Sequence, residues 1–150
     1  MSAYRRYIDE KTFFCLLLVA AILTANLATG AIASGKKIDE PMQAAITWLS
    51  LADAVKAQDR WNQAAGAFKA GIELQDWETT LPKARQPLGA VKQRKHLATE
   101  ATTALPGVPD GEYAIMGFQT EFANKKSATE ILVLQKEADG AWRTVGYFIQ

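Results

Sequence analysis

The apolar pattern of the chain changes its period at the segment Pro87-Leu88-Gly89. Before this segment, apolar residues recur about every three to four positions, which is the spacing of an amphipathic helix. After it, short apolar runs alternate with turn residues, which is typical of strands. Helices followed by strands indicate the α+β class. We therefore expect N-terminal helices packed on a bent antiparallel sheet of about four strands.

The predicted elements follow from capping and turn residues. Pro41 suits the first turn of the first helix, Asp59 suits the cap of the second, and Pro82 is expected to end the third. Asp139-Gly140 predicts a tight hairpin between the last two strands. The predicted helices are 40–55, 59–66 and 67–81, and the predicted strands are 90–103, 112–123, 129–137 and 142–149.

The last two predicted strands are apolar on both faces. Leu132 and Leu134 point to one face, whereas Ile131 and Val133 point to the other. An antiparallel sheet with one solvated face would alternate between apolar and polar residues. We therefore expect cover on both faces, from the helices on one and from a curled sheet around a pocket or a second subunit on the other.

The N-terminus has the pattern of a secretory signal peptide. Arg5 and Arg6 precede an apolar run of 11 residues at 13–23, and Ala31-Ile32-Ala33 offers a cleavage site. The run is shorter than the roughly 20 residues of a membrane-spanning helix. We expect cleavage after Ala33 rather than retention as an anchor. This predicts an exported protein, periplasmic or secreted, with a single domain at 34–150 and no membrane span after cleavage.

Composition excludes several kinds of site. The 17 basic and 16 acidic residues provide no basic surface for nucleic acid. One His and one Cys are too few for a Cys/His metal site, and Cys15 lies in the predicted signal peptide. The chain also lacks a glycine-rich phosphate loop. We expect no metal, no cofactor and no nucleic-acid partner.

An ordered set of motifs in the mature chain resembles a bacterial family. The set comprises Trp48-Leu49 with Asp53, then Trp61, Phe68 and Trp77, Arg85-Gln86-Pro87-Leu88-Gly89, Leu105-Pro106-Gly107, Asp110-Gly111-Glu112-Tyr113, Asp139-Gly140-Ala141-Trp142-Arg143 and Gly146-Tyr147. It resembles the exported proteins grouped as domain of unknown function 4019, over about 41–149. The resemblance implies a cystatin-like or NTF2-like roll and an exported location. It implies no particular activity.

Four residues are candidate catalytic groups. Asp53 borders the apolar face of the first helix, where a half-buried carboxylate could act as a base, as in ketosteroid isomerases of the wider roll. The alternative for Asp53 is a structural role, either an ion pair or a helix-capping hydrogen bond, with Arg85 and Arg94 as the available partners. His96, the single histidine, is either a general base at a pocket mouth or a solvated surface residue. The remaining two candidates are hydrogen-bond donors, Tyr113 and Tyr147.

Three further residues are candidate ligand-binding groups. Arg85 and Arg94 belong to a basic strip, 83–95, without an acidic residue; the alternative is a solvated strand face. Trp61 has polar neighbours, which makes it the aromatic residue best placed for a ligand cleft rather than the core. Glu130 and Arg143 are expected to form an ion pair across neighbouring strands.

These observations favour a non-catalytic exported module that binds a small ligand or a cell-envelope protein, as a homodimer. One alternative is a pocket enzyme that transfers protons in an isomerase-like reaction. Another alternative is a peptidase inhibitor that uses the turn 105–111 or the hairpin Asp139-Gly140 as a wedge.

Overall fold

The computed structural model describes residues 36–150 of the chain. The predicted signal peptide, with Cys15, lies outside the described residues. Within them, four helices precede four strands, as the α+β prediction requires. The elements are α1 (Lys36–Asp53), α2 (Ala57–Asn62), α3 (Gly66–Gly71), α4 (Leu74–Arg85), a 3-10 turn (Gln86–Leu88), β1 (Val91–Thr102), β2 (Tyr113–Phe122), β3 (Ala128–Lys136) and β4 (Trp142–Ile149).

The strands form one antiparallel sheet in the order β1-β2-β3-β4. Its observed strands lie within one residue of the predicted bounds. Register shifts interrupt the β1–β2 pairing at two places and the β3–β4 pairing at Val133/Leu134. Because an extra residue in one strand bends it and increases its twist, these shifts curve the sheet.

The helices differ from prediction in their ends. α1 begins at Lys36, so Pro41 lies inside it, and α4 continues through Pro82 to Arg85. A proline removes one backbone hydrogen bond, which the packing of a helix against a sheet can offset. Asp59 lies inside α2, and Lys56 takes the cap position that Asp59 was predicted to take.

The segment 59–81, which the sequence predicts as two helices, forms parts of three short helices in the structure. The chain leaves α2 because Ala64 forms a parallel bridge with Thr144 and the Ala65 N–H donates to the Thr144 carbonyl over 2.9 Å. Helices of six residues are unstable alone, so tertiary contacts must hold α2 and α3. The helical periodicity of 59–81 does not reveal this interruption.

Three tryptophan indole N–H groups tie the short helices together. Trp48 donates to the carbonyl of Arg60, Trp61 to that of Ile72 and Trp77 to that of Ala57, over 3.2, 3.1 and 3.0 Å. The rings themselves bury apolar area between helices and sheet. Each tryptophan thus fixes both the packing and the backbone position of a neighbouring segment.

The sheet has an inner face against the helices and an outer face. The inner face carries Met116, Phe118, Leu132 and Leu134, which pack with Trp48 and Leu49 of α1. The outer face carries Ile115, Ile131 and Val133, which are also buried. β2 and β3 are therefore apolar on both faces, as the sequence predicted for β3; the other strand of that prediction, β4, is half-buried along most of its length.

Candidate functional site

Asp53 is the last residue of α1, and its carboxylate is bound by two arginines. Arg94 donates to both carboxylate oxygens, over 2.8 Å from Nη1 and 2.9 Å from Nη2, and Arg85 Nη2 donates over 3.0 Å. A carboxylate at the C-terminal end of a helix is unfavourable beside the helix dipole. The bidentate pair with Arg94 and the second pair with Arg85 offset this cost.

Arg94 also binds a second carboxylate, that of Glu130, which is fully buried on β3. Arg94 Nε donates to Glu130 over 2.6 Å, and Arg94 Nη2 donates over 3.2 Å. The hydroxyls of Thr120 and Tyr147 donate to the same carboxylate. We call Asp53, Arg85, Arg94, Glu130, Thr120 and Tyr147 the inner ion network.

The pKa values in the inner ion network follow from burial opposed by hydrogen bonds. Burial acts to raise the pKa of Glu130, but the donors Arg94, Thr120 and Tyr147 outweigh it and hold that pKa below its ordinary value. Burial and the neighbouring Glu130 carboxylate raise the pKa of Tyr147. Glu130 is therefore ionised and Tyr147 is protonated at neutral pH.

Arg60 of α2 lies beside this network and is fully buried. Its guanidinium carbon lies 3.6 Å from the centroid of the Trp48 ring and 5.0 Å from those of Trp77 and Tyr147. Burial lowers the pKa of Arg60 to about 9. None of its guanidinium nitrogens has a hydrogen-bond partner among the described residues.

A cleft of about 360 Å³ opens between the first half of α1 and the β3–β4 end of the sheet. Its walls are apolar at Ala44, Trp48, Leu134 and Trp142. Thr144 also belongs to the lining, and its hydroxyl is buried without a hydrogen-bond partner among the described residues. The polar residues of its rim are Glu40, Gln43, Thr47, Gln63 and Arg143.

The candidate catalytic residues are separated in the structure. Asp53 and Tyr147 both belong to the inner ion network, but Tyr147 donates to Glu130 rather than to Asp53. His96 is exposed on β1, 2.8 Å from the Thr99 hydroxyl. Tyr113 faces the outer side of the sheet and donates to the Pro109 carbonyl over 2.6 Å. No single cavity brings these four groups together among the described residues.

The candidate ligand-binding residues Arg85, Arg94 and Trp61 are also not brought together at one open site. Arg85 is buried and Arg94 is mostly buried in the inner ion network, while Lys92 and Lys95 are exposed. The basic strip is therefore not one solvated surface, because only part of it faces solvent. Trp61 is half-buried against the core, and its indole N–H is bound to Ile72.

The predicted ion pair between Glu130 and Arg143 is wrong. In the observed register Arg143 lies opposite Gln135, whereas Glu130 lies opposite Ile149. Arg143 instead binds Glu137 over 2.7 Å and Asp139 over 2.6 Å in the hairpin. The two residues stand at different heights along their strands and on opposite faces of the sheet.

Sequence reasoning missed the roles of Glu130, Thr120 and Arg60. Along β3, Glu130 lies on the same face of the strand as Leu132 and Leu134, which are two and four residues away. Along β2, Thr120 lies on the same face as Phe118 and Phe122. This alternation predicts that the side chains of Glu130 and Thr120 face inward together with the apolar residues. Arg60 gives no comparable signal, because its helix has only six residues.

Among the residues that the structure describes, no three or more His, Cys, Asp or Glu side chains form a group that could hold a metal ion. No described helix is both long and apolar enough to cross a membrane.

A comparison with protein families gives one match. The profile described as "Protein of unknown function (DUF4019)" matches residues 44–147, which contain the inner ion network and most of the cleft lining. The chain belongs to the DUF4019 family. In this DUF4019 protein, the match begins inside α1 and ends inside β4, so it covers the helices and the sheet together. No curated protein is significantly similar to the chain.

Proposed function

We propose that this DUF4019 protein is an exported, non-catalytic binding module whose ligand site is the cleft between α1 and the β3–β4 end of the sheet. Export rests on the signal-peptide pattern of 1–33. Binding rests above all on one observation, a cleft with apolar walls at Ala44, Trp48, Leu134 and Trp142 and a polar rim.

The cleft has the size and composition of a small-molecule site. Its volume of about 360 Å³ lies in the usual range of roughly 300–1,000 Å³ for ligand pockets. Trp48, Trp142 and Leu134 provide apolar contact area, and the side chains of Gln43, Thr47 and Gln63 provide hydrogen-bonding groups at the rim. These groups suit a largely apolar ligand, or an apolar side chain of a partner protein, whose polar atoms lie at the rim.

The charges at the cleft disfavour an acidic ligand. Arg143 is the single cation among its lining residues in the described chain, and Glu137 and Asp139 neutralise it. Glu40 adds a negative charge to the rim. The expected ligand therefore carries no negative charge.

The inner ion network argues against the proton-transfer alternative. A general base needs a free lone pair directed at its substrate. The Asp53 carboxylate accepts three hydrogen bonds from arginines, and that of Glu130 accepts bonds from Arg94, Thr120 and Tyr147. His96 lies on β1, at the sheet edge opposite β4. Binding without chemistry is the better account of these contacts.

The experiment uses the full chain, recovered after expression, and the neutral apolar probe N-phenylnaphthylamine, which fluoresces more strongly in apolar surroundings. Ala44→Phe fills the cleft and should weaken probe binding at least about tenfold, because a bulky side chain blocks the apolar walls. Ser50→Phe adds the same ring at an exposed position of α1 and serves as the control.

Equal probe binding by the wild type, Ala44→Phe and Ser50→Phe would contradict the proposal. A native mass spectrum of the recovered protein adds three readings: whether 1–33 has been removed, whether a molecule is retained, and whether the protein is the predicted homodimer.

A further inference from the structure

We infer that the protein interior holds one small monovalent anion, of the size of chloride or formate, between the guanidinium groups of Arg60 and Arg85. This site is distinct from the proposed ligand cleft. Trp48 contacts both, since it lines the cleft and stacks against Arg60.

The first support is the hydrogen-bonding of the two arginines. Arg60 is fully buried and Arg85 is 4% exposed. All three guanidinium nitrogens of Arg60, and Nε and Nη1 of Arg85, lack a partner among the described residues. Buried polar groups in native proteins are nearly always hydrogen-bonded, so such a cluster of free donors indicates a bound acceptor.

The second support is the balance of charge. The arginines of this region are Arg60, Arg85 and Arg94, and its carboxylates are those of Asp53 and Glu130. One positive charge is in excess, and an uncompensated buried charge is strongly unfavourable. A single monovalent anion restores neutrality, whereas water satisfies the donors but leaves the charge.

The third support is the position of the two guanidinium groups. The Arg60 guanidinium carbon lies 5.0 Å from the centroid of the Tyr147 ring, and Arg85 is hydrogen-bonded to Asp53 in the same inner ion network as Tyr147. The aromatic rings of Trp48, Trp77 and Tyr147 surround Arg60, and Phe122 lies 4.6 Å from the guanidinium carbon of Arg85. Ring faces attract a cation but do not replace hydrogen bonds to its in-plane N–H groups. Donors directed into apolar surroundings suit a weakly hydrated small anion.

Thermal unfolding of the full chain tests the site. Sodium chloride is compared with sodium gluconate at equal concentrations, because gluconate is too large for the interior while ionic strength stays the same. We expect a saturable rise of Tm by about 5 °C or more in chloride. Sodium formate is a third series, which distinguishes a small carboxylate from a halide.

Arg60→Met removes the unpartnered guanidinium and keeps a long apolar side chain against Trp48. It should abolish the difference between chloride and gluconate. Arg143→Met makes the same substitution in the solvent-facing hairpin pair and should keep the difference. Equal Tm values for the wild type in all three salts, or a chloride effect that persists in Arg60→Met, would overturn the inference.

A second measurement needs only the wild-type protein. Crystals grown in sodium bromide should show an anomalous-scattering peak within hydrogen-bond distance of the Arg60 and Arg85 guanidinium groups. Density for water alone at that place would overturn the inference, even if Arg60→Met fails to fold.

Discussion

Arg94 on β1 donates a hydrogen bond over 2.6 Å to Glu130 on β3, across the intervening strand β2. Thr120 of β2 lies opposite Arg94 in the register and donates to the same carboxylate. Because Arg94 also binds Asp53 at the end of α1, its side chain joins β1 and β3 to the helical layer, and Thr120 adds β2 through Glu130. The following predictions concern this network and the turns around it.

Loss of Arg94 should be strongly destabilising. Arg94→Met leaves Glu130 fully buried without its counter-charge, and we expect a loss of about 3–5 kcal/mol in the free energy of unfolding. Urea denaturation measures this loss. Arg143→Met, in the solvent-facing hairpin pair, is the matched control and should cost far less. Equal losses for the two variants would show that burial of Glu130 has no energetic consequence.

Stability should fall in acid because Glu130 must be protonated. Its pKa in the folded protein is below the ordinary value of 4.5, so its contribution is fully present above that value and is lost as the pH falls towards the folded pKa. Urea midpoints from about pH 7 to about pH 3 should therefore decline below about pH 4.5.

In Glu130→Gln this part of the acid dependence should disappear. Asp139→Asn is the control, because it removes a different carboxyl group. Hydrogen bonds from Arg143 and Ala141 lower the pKa of Asp139 to about 2. This variant should keep the loss of stability that protonation of Glu130 causes. A Glu130→Gln curve parallel to that of the wild type would show that Glu130 does not cause the decline.

Val55→Gly should stabilise the protein. Val55 follows the end of α1 with a φ of 55°, a left-handed conformation that is unfavourable for a β-branched residue. Glycine removes a strain of about 1–2 kcal/mol and sacrifices little packing, because Val55 is 39% exposed. Val55→Ala keeps the strain and is the control. A lower urea midpoint for Val55→Gly than for Val55→Ala would contradict this account.

Gly89→Ala should be more destabilising than Gly140→Ala. Both glycines have positive φ, 74° and 81°, so alanine is strained by about 1–3 kcal/mol at either position, and Gly89 combines its φ with a ψ of −166°, a region essentially restricted to glycine. At Gly89 a Cβ would also lie 3.0 Å from the Ala123 Cβ and 3.1 Å from the Asn124 side chain, whereas at Gly140 it meets no atom within 4 Å. The difference between the two urea-unfolding free energies combines the steric contacts at Gly89 with its more restricted backbone conformation. Equal free energies would show that the Gly89 turn moves to accept the methyl group.

Several parts of the structure could be predicted from local sequence alone. The change from helical to strand periodicity predicted the α+β class, and the strand bounds were correct to within one residue. The reason is that alternation and turn residues such as Asp139-Gly140 act over a few positions. The interruption after α2 was not predictable in this way, because it depends on the bridge between Ala64 and the distant Thr144.

The partners of charged residues were decided by the tertiary structure. The sequence identified Arg85 and Arg94 as partners available to Asp53, but it assigned Glu130 to Arg143. The register of β3 against β4 separates that pair, and the curved sheet brings Arg94 across β2 instead. Arg60 is the clearest case, since a charged residue in a six-residue helix is expected in solvent and is fully buried here. Local pattern determines which segments form helices and strands, whereas ion pairing and burial depend on which distant segments meet, and that is determined only when the helices pack on the sheet.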